Sequence, residues 1–328
     1  MHVMIISEYW APQEHGGGER SAADLAEGLA RQGVRVTVLT SSYAAAARDE
    51  TVNGVRIMRI LRTGSPDTLV GNIFRYVFFR QSAIRHATEF CRSNDVDVIH
   101  LMNTSSITLA APLRACTHTL VTAHLNSPLP FCPKGDRIRH GKPCTIVCTW
   151  NEFVPCLRSS KGVGKMRNGW WIRDNPLVWS LLFRRFITYQ RSSRAVHAWV
   201  AIGSGLVALL ELHGVRDTIM LLPNPMDMDA LSALTLPSPH APLRVGFIGA
   251  LTEFKGVRVL LEVVRGLPVE LHVAGEGPLA AWIAAAGVPV HMYGRVANDA
   301  VPSFYAAVDI VVVPSLWPEA FGRVAVEA

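Results

Sequence analysis

Short β-branched runs, each followed by a turn and then a stretch of helical period, recur from one end of the 328-residue chain to the other. That alternation constrains the fold more than any other feature, because strands joined through helices must run parallel. Val3 to Ile6 reads as the first strand, and 19–32 as the helix after it, stopped by Gly33. Strands are expected over 34–40, 55–60 (after the turn Asn53-Gly54), 96–101, 119–124, 197–202 and 218–222. Helices are expected over 72–93, between the strands at 96–101 and 119–124, and over 176–193 and 204–213.

Residues 125–175 break the rhythm. They are rich in Pro, Gly, Cys and basic residues and show no helical period. An irregular stretch of that length inside a domain is usually functional or disordered. Pro237-Ser238-Pro239-His240-Ala241-Pro242 reads as a linker. A second alternation follows, with strands over 243–248, 269–274, 288–293 and 309–313. The expected organisation is an N-terminal domain over 1–236 with the insertion 125–175, a linker over 237–242, and a C-terminal domain over 243–328. Each domain is expected to be Rossmann-like with a parallel sheet.

The composition, 49% hydrophobic and 18% charged, is that of a globular protein, and no apolar run reaches membrane-spanning length. Met1-His2-Val3-Met4-Ile5-Ile6 reads as a strand and not as a leader, so a cytoplasmic location is expected. The net charge of +6 is uneven: Cys132 to Arg194 carries a net +10, leaving the rest at −4. Such an excess points to an anionic partner: membrane phosphates, an anionic acceptor or nucleic acid.

The most specific pattern lies at the end of the chain. Asp309-Ile310-Val311-Val312-Val313 reads as a buried strand, and Pro314-Ser315 follows it. Then come Glu319, Phe321-Gly322 and Glu327. A helix opening near Ala320 and running on would carry the two glutamates, eight positions apart, on nearly one face. They would face the ligand side of a parallel sheet, with the Phe321 and Gly322 amides suited to an anion.

This E-x7-E spacing in its setting of strand, Pro-Ser, acid and Phe-Gly resembles the family 4 glycosyltransferases, which have the GT-B fold. The resemblance covers nearly the whole chain. It implies two Rossmann-like domains facing across a cleft and transfer of a sugar, with retained anomeric configuration, from a UDP- or GDP-sugar to a hydroxyl acceptor. Cell-surface polysaccharide or glycolipid synthesis is the implied setting, with an acceptor that is often lipid-linked. Family members continue beyond the point matched by Ala328, so an incomplete second domain is expected; the rival reading is a catalytically inactive fragment or remnant. A nicotinamide-dependent oxidoreductase is a second rival, disfavoured because the glycine-rich turn lacks the G-x-G-x-x-G spacing.

The resemblance also assigns roles. Gly16, Gly17 and Gly18, with Lys255 in Gly249-Ala250-Leu251-Thr252-Glu253-Phe254-Lys255-Gly256, correspond to groups that hold the donor diphosphate. Many members have an Arg where this chain has Ala250, so one positive contact is either missing or supplied elsewhere, by Arg323 or Arg258. His124, at a strand end, matches a histidine that contacts the reacting sugar; Leu125 stands where many members have Asp. Glu319 corresponds to the residue that grips sugar hydroxyls, with Phe321 and Gly322 beside it, and Glu327 to the one that holds the ribose. Asn224-Pro225-Met226-Asp227 resembles the architectural turn that ends the first domain. Asp227-Met228-Asp229 and Asp95-Val96-Asp97 are D-x-D only in form, and no catalytic metal is expected.

Cys132, Cys144, Cys148 and Cys156 cluster in the insertion and suggest a structural Zn²⁺ site. Cys91 and Cys116, in helical stretches, read as buried apolar groups. Trp170, Trp171, Trp179, Phe183 and Phe186 interleave with Arg173, Arg184 and Arg185. That mixture suits an anionic membrane surface, which the resemblance favours over nucleic acid; the plain alternative is a helix packing its aromatics inward.

Overall fold

A computed structural model describes residues 1–12, 17–44, 46–64, 69–140, 142–159, 174–215, 218–226, 239–316 and 319–328, except for the side chains of 69, 70 and 72–75. The chain divides into two units, Met1–Met226 and Asp227–Ala328.

Unit 1 is built on an eight-stranded sheet. Its strands are β1 (His2–Ile6), β2 (Arg35–Ser41), β3 (Asp49–Val52), β4 (Val55–Leu61), β5 (Val98–Leu101), β6 (Leu120–Leu125), β9 (Ala198–Ala201) and β10 (Ile219–Leu221). Their order across the sheet is β10-β9-β6-β5-β1-β2-β4-β3. Neighbours run parallel except β3 and β4, which form a hairpin. Sequence reading missed β3, whose residues Asp49, Glu50 and Thr51 are too polar to show as a buried run. Asn53 and Gly54, with φ of 50° and 80°, make the two-residue turn that suits a hairpin twist.

The connecting helices are α1 (Gly17–Arg31), α2 (Leu69–Ser93), α3 (Thr104–Ile107), α4 (Ala110–Cys116), α6 (Pro176–Ser193) and α7 (Ser204–Leu212). The insertion is more regular than its composition suggests. It holds a short hairpin, β7 (Ile138–Arg139) with β8 (Lys142–Pro143), and a ten-residue helix, α5 (Trp150–Ser159). That helix hid because Pro155 interrupts its pattern and only Phe153 and Leu157, four apart, are buried.

Unit 2 has a four-stranded parallel sheet, ordered β13 (Val290–Gly294), β12 (Val269–Ala274), β11 (Leu243–Ile248), β14 (Ile310–Val311). Its helices are α8 (Val257–Val264), α9 (Ala280–Ala284), α10 (Val301–Ala306) and α11 (Arg323–Glu327). Val257, Leu260, Leu261 and Val264 form the apolar stripe of α8 and pack on Val245, Phe247, Leu271 and Val273. Each such buried side chain contributes about 1.5–3 kcal/mol. The opposite face of the sheet takes Phe304, Tyr305 and Val308 against Ala274.

The β11–α8 loop is locked to the segment after β14. The Leu316 amide donates to the Phe254 carbonyl at 2.9 Å. Gly256 has φ +71°, and a Cβ placed there would lie 1.9 Å from the Pro314 carbonyl oxygen. Gly266 has φ +82° but open space around it. Gly266→Ala is therefore expected to cost only the backbone term, about 1 kcal/mol, and Gly256→Ala about 3 kcal/mol or more. Urea unfolding of the two variants measures this, and equal losses would contradict the close approach.

Candidate functional site

In unit 2 the candidate residues gather beyond the carboxyl ends of β11 and β14. Lys255 ends a 3₁₀ turn, Glu253–Lys255, ahead of α8. Its Nζ lies 2.6 Å from Glu319 Oε1, and the Ser315 hydroxyl donates to the same oxygen at 2.5 Å. One carboxylate oxygen thus takes a charged donor and a neutral one. Both side chains stay partly open, Lys255 at 33% and Glu319 at 25% exposure.

The two glutamates do not share a helix face, contrary to the expectation of a helix from Ala320. α11 starts only at Arg323, because Gly322 adopts the left-handed conformation with φ 75° and ψ 52° and separates Glu319 from it. Glu327 has its own partners: Arg323 Nε donates to Oε1 at 2.6 Å, and the Tyr305 hydroxyl donates to Oε2 at 2.8 Å. Burial, and then the Glu327 charge, raise the Tyr305 phenol well above its ordinary value. Phe321 is half-buried beside Gly322. Arg258 pairs with Glu253 at 2.8 Å and lies over the Trp282 ring at 3.9 Å, and Arg323 is engaged by Glu327.

In unit 1, His124 lies in β6 and is 2% exposed. Its Nε2 meets the Asn224 side-chain oxygen at 3.2 Å, so Nε2 carries the proton and donates. Nδ1 is then an acceptor, buried and without a hydrogen-bond partner among the described residues. Burial lowers the His124 pKa to about 4, against the opposing effect of the Asn224 bond. His100 packs edge-on at 5.7 Å and is lowered to about 3, by burial and then by His124. At neutral pH His124 is an uncharged hydrogen-bonding ring and not a proton donor of ordinary strength.

Gly17 and Gly18 open α1, and a Cβ on Gly18 would touch Asn126 Nδ2 at 3.5 Å. Asn126 in turn donates to the Met102 carbonyl at 3.2 Å, so the start of α1 stands over the ends of β5 and β6. Gly16 lies outside the described residues.

Sequence reading missed two residues here. Asn224, taken as part of a turn, holds the His124 ring. Glu8, two positions past β1, is 1% exposed and accepts from the hydroxyls of Ser105 and Thr63, the latter at 2.7 Å. Asn103 caps α3 and its amide donates to Ser7 Oγ at 3.4 Å. The available signal was an acid at the carboxyl end of a fully buried strand, where open α/β sheets bind ligands.

Cys132, Cys144, Cys148 and Cys156 are free thiols. Cys132 follows the 3₁₀ turn Leu129–Phe131, Cys144 follows the β7–β8 hairpin, and Cys156 lies in α5. Cys148 is pushed up to about 12 by burial and then by the nearness of Cys132, Cys156 and Cys144. Cys156 is raised too, by burial first, with Lys134 opposing. The four thiols do not form a group of three or more donors close enough to hold a metal ion; among the described residues that description fits Glu270, His272 and His291. Cys116 is exposed, contrary to expectation, whereas burial raises the half-buried Cys91.

On α6 the aromatic side chains turn inward. Phe183 and Phe186 sit 5.5 Å apart and join Trp150 and Phe153 in one cluster. Leu177, Leu181 and Arg184 are exposed, and Arg185 lies over the Tyr76 ring at 5.2 Å. Trp170, Trp171 and Arg173 lie outside the described residues, as does Asp227. No helix among the described residues is long and apolar enough to cross a membrane.

The model of Glycosyltransferase Family 4 matches residues 15–230, and that of Glycosyl transferases group 1 matches residues 242–328. No curated protein sequence matches the chain. Sucrose-phosphate synthase from Thermosynechococcus elongatus is similar in structure, with TM-score 0.69 and 17% identity over 99% of this chain and 78% of that one. HepE of Anabaena, solved in complex with UDP-glucose, has TM-score 0.60 and 18% identity over 100% and 78%. WaaG, a glycosyltransferase involved in lipopolysaccharide biosynthesis, has TM-score 0.61 and 15% identity over 99% and 78%. At these identities the likeness establishes the fold, two α/β units of the GT-B kind.

His100, His124 and His213 all have folded pKa values below the unfolded value near 6.5. The unfolded chain therefore takes up protons first, and stability falls as pH drops from about 6.5 towards 4. His124→Gln is expected to remove about one proton from that slope, worth up to about 3 kcal/mol at its acid end. Urea midpoints between pH 7 and 4.5 measure it; an unchanged slope would mean that His124 titrates normally.

Proposed function

The chain belongs to Glycosyltransferase Family 4, and we propose that it moves a sugar from a nucleotide-sugar donor to a hydroxyl acceptor with retention of the anomeric configuration. The observation that carries this reading is the shared oxygen of Glu319, held by Lys255 and Ser315 at the ligand edge of the unit 2 sheet. An ammonium paired with a half-open carboxylate is a site that a diphosphate can enter by exchange: the phosphate takes Lys255, and Glu319 is released to accept from sugar hydroxyls. Glu327, bonded by Arg323 and Tyr305, is proposed to accept from a ribose, and the Phe321 and Gly322 amides to meet the donor near Glu319. The donor is proposed to be a UDP- or GDP-sugar; the similar protein HepE was solved with UDP-glucose.

In unit 1 the neutral ring of His124, steadied by Asn224, is proposed to contact the reacting sugar, and the glycines from Gly16 to Gly18 the diphosphate. No metal is required for the transfer in this reading, because Lys255 and backbone amides neutralise the leaving group. A structural Zn²⁺ held by Cys132, Cys144, Cys148 and Cys156 is proposed for the insertion on their clustering in the sequence alone. The acceptor is proposed to be lipid-linked, in surface polysaccharide or glycolipid synthesis, with the basic insertion and the exposed Leu177, Leu181 and Arg184 touching an anionic membrane on its cytoplasmic side.

Two measurements test this. Release of UDP from UDP-glucose is expected to fall on the order of 100-fold or more in Glu319→Ala with an unchanged melting temperature; an unchanged rate removes Glu319 from the site. Sedimentation with vesicles is expected to favour those containing anionic lipid, and equal partition onto neutral vesicles would rule out the membrane contact.

A further inference from the structure

The face of the unit 2 sheet turned away from α8 carries Glu270 and His272 on β12 and His291 on β13. His272 and His291 are register partners on neighbouring parallel strands, and Glu270 is two residues before His272, hence on the same face. The two imidazoles stack with centroids 4.7 Å apart. His272 Nε2 lies 3.7 Å and His291 Nε2 3.9 Å from the same oxygen, Glu270 Oε2. One donor atom from each of the three residues falls within 4.8 Å of the others.

We propose that Glu270, His272 and His291 bind a divalent cation of the zinc class, with water completing its coordination. Two imidazoles and one carboxylate are the donor set that zinc and its borderline neighbours take, with one position left open. Bond lengths of about 2.0–2.1 Å place tetrahedral donors about 3.4 Å apart, so the carboxylate distances of 3.7 and 3.9 Å need to close by about half an ångström or less, and the imidazole nitrogens, within 4.8 Å of each other, by up to about 1.4 Å. Two further observations point to a ligand. The His272 side chain is 93% buried, and its Nε2 has no hydrogen-bond partner among the described residues, since 3.7 Å to the carboxylate is too long for one. Its other nitrogen, Nδ1, meets the Tyr293 hydroxyl at 2.8 Å, which is the outer hydrogen bond that orients a metal-bound histidine.

Arg244 is the competing cation. Its Nε lies 3.6 Å from Glu270 Oε2, while its Nη1 is occupied by His240 Nε2 at 2.9 Å. A bound ion has to displace only the longer of these contacts. β13 is the edge of the sheet, so an ion held by His291 on one side and by Glu270 and His272 on the other cross-links the edge strand to its neighbour. The site lies outside the donor-binding residues and is independent of the transferase reading.

The test is a zinc titration of the whole chain by calorimetry, with thermal unfolding in parallel, on wild type, His291→Ala, His272→Ala and Cys148→Ser. His291, with a side chain 58% exposed, can be replaced without opening the core. Wild type is expected to bind one equivalent more than His291→Ala, or to bind it at least about tenfold more tightly, and to melt higher with zinc. Cys148→Ser is expected to keep that equivalent. Cobalt at the site is expected to show no thiolate charge-transfer band. Equal stoichiometry and affinity in wild type and His291→Ala would overturn the proposal, as would loss of all bound zinc in Cys148→Ser.

Discussion

Parallel pairing sends the carboxyl end of every strand in a sheet to one edge, and the rest of this molecule follows from that constraint. The edge is where strands hand over to loops, so it collects the backbone groups and side chains that the ladder does not consume. In unit 1 it gathers Glu8 after β1, Asn103 after β5, and His124 and Asn126 at the end of β6. In unit 2 it gathers the Lys255 loop after β11 and the Ser315–Glu319 segment after β14. The chemistry is local because the topology makes it so: residues 64 apart in sequence, Lys255 and Glu319, share one hydrogen bond.

Holding those loops in place takes backbone contact and not only side-chain packing. Gly256 lies against the Pro314 carbonyl so closely that no side chain fits, and the Leu316 amide closes the same junction. The Lys255 ammonium is thereby anchored one residue from a fixed point. Glu319, by contrast, leaves its strand through a short segment and is tethered by its side chain. The pair thus joins a cation on an anchored loop to a carboxylate held through side-chain bonds, the arrangement on which the proposed capture of a diphosphate rests.

The two βα units were legible because burial on both faces of a parallel sheet forces continuous apolar runs, such as Val3-Met4-Ile5-Ile6, that little else produces. What escaped was whatever is not buried in that way. β3 is polar, because a hairpin edge strand faces water. α5 is short and carries Pro155, so its period fades. At the candidate site, residue types and spacing marked Glu319, Glu327 and Lys255, but not the geometry between the glutamates. Spacing assumes an unbroken helix, and one left-handed glycine at position 322 decides otherwise. Asn224 and Glu8 escaped for a different reason: their roles lie in partners 100 and 97 positions away, and single-chain periodicity carries no information at that range.

The two units handle polarity in opposite ways, and this bears on how labour can be divided between them. In unit 1 the buried groups near the strand ends are kept neutral or closed: His124 and His100 lose their charge to burial, and both oxygens of Glu8 are taken by hydroxyls. In unit 2 the charges are kept and left half-open, as Lys255 with Glu319 shows. A desolvated ion would be costly in the first setting, and a neutral ring would be weak in the second. A donor made of a neutral sugar and a charged diphosphate has the same two-part chemistry. In the reading proposed above, unit 2 would meet both parts, Lys255 the diphosphate and Glu319 and Glu327 the hydroxyl groups, and unit 1 would add the uncharged His124 ring.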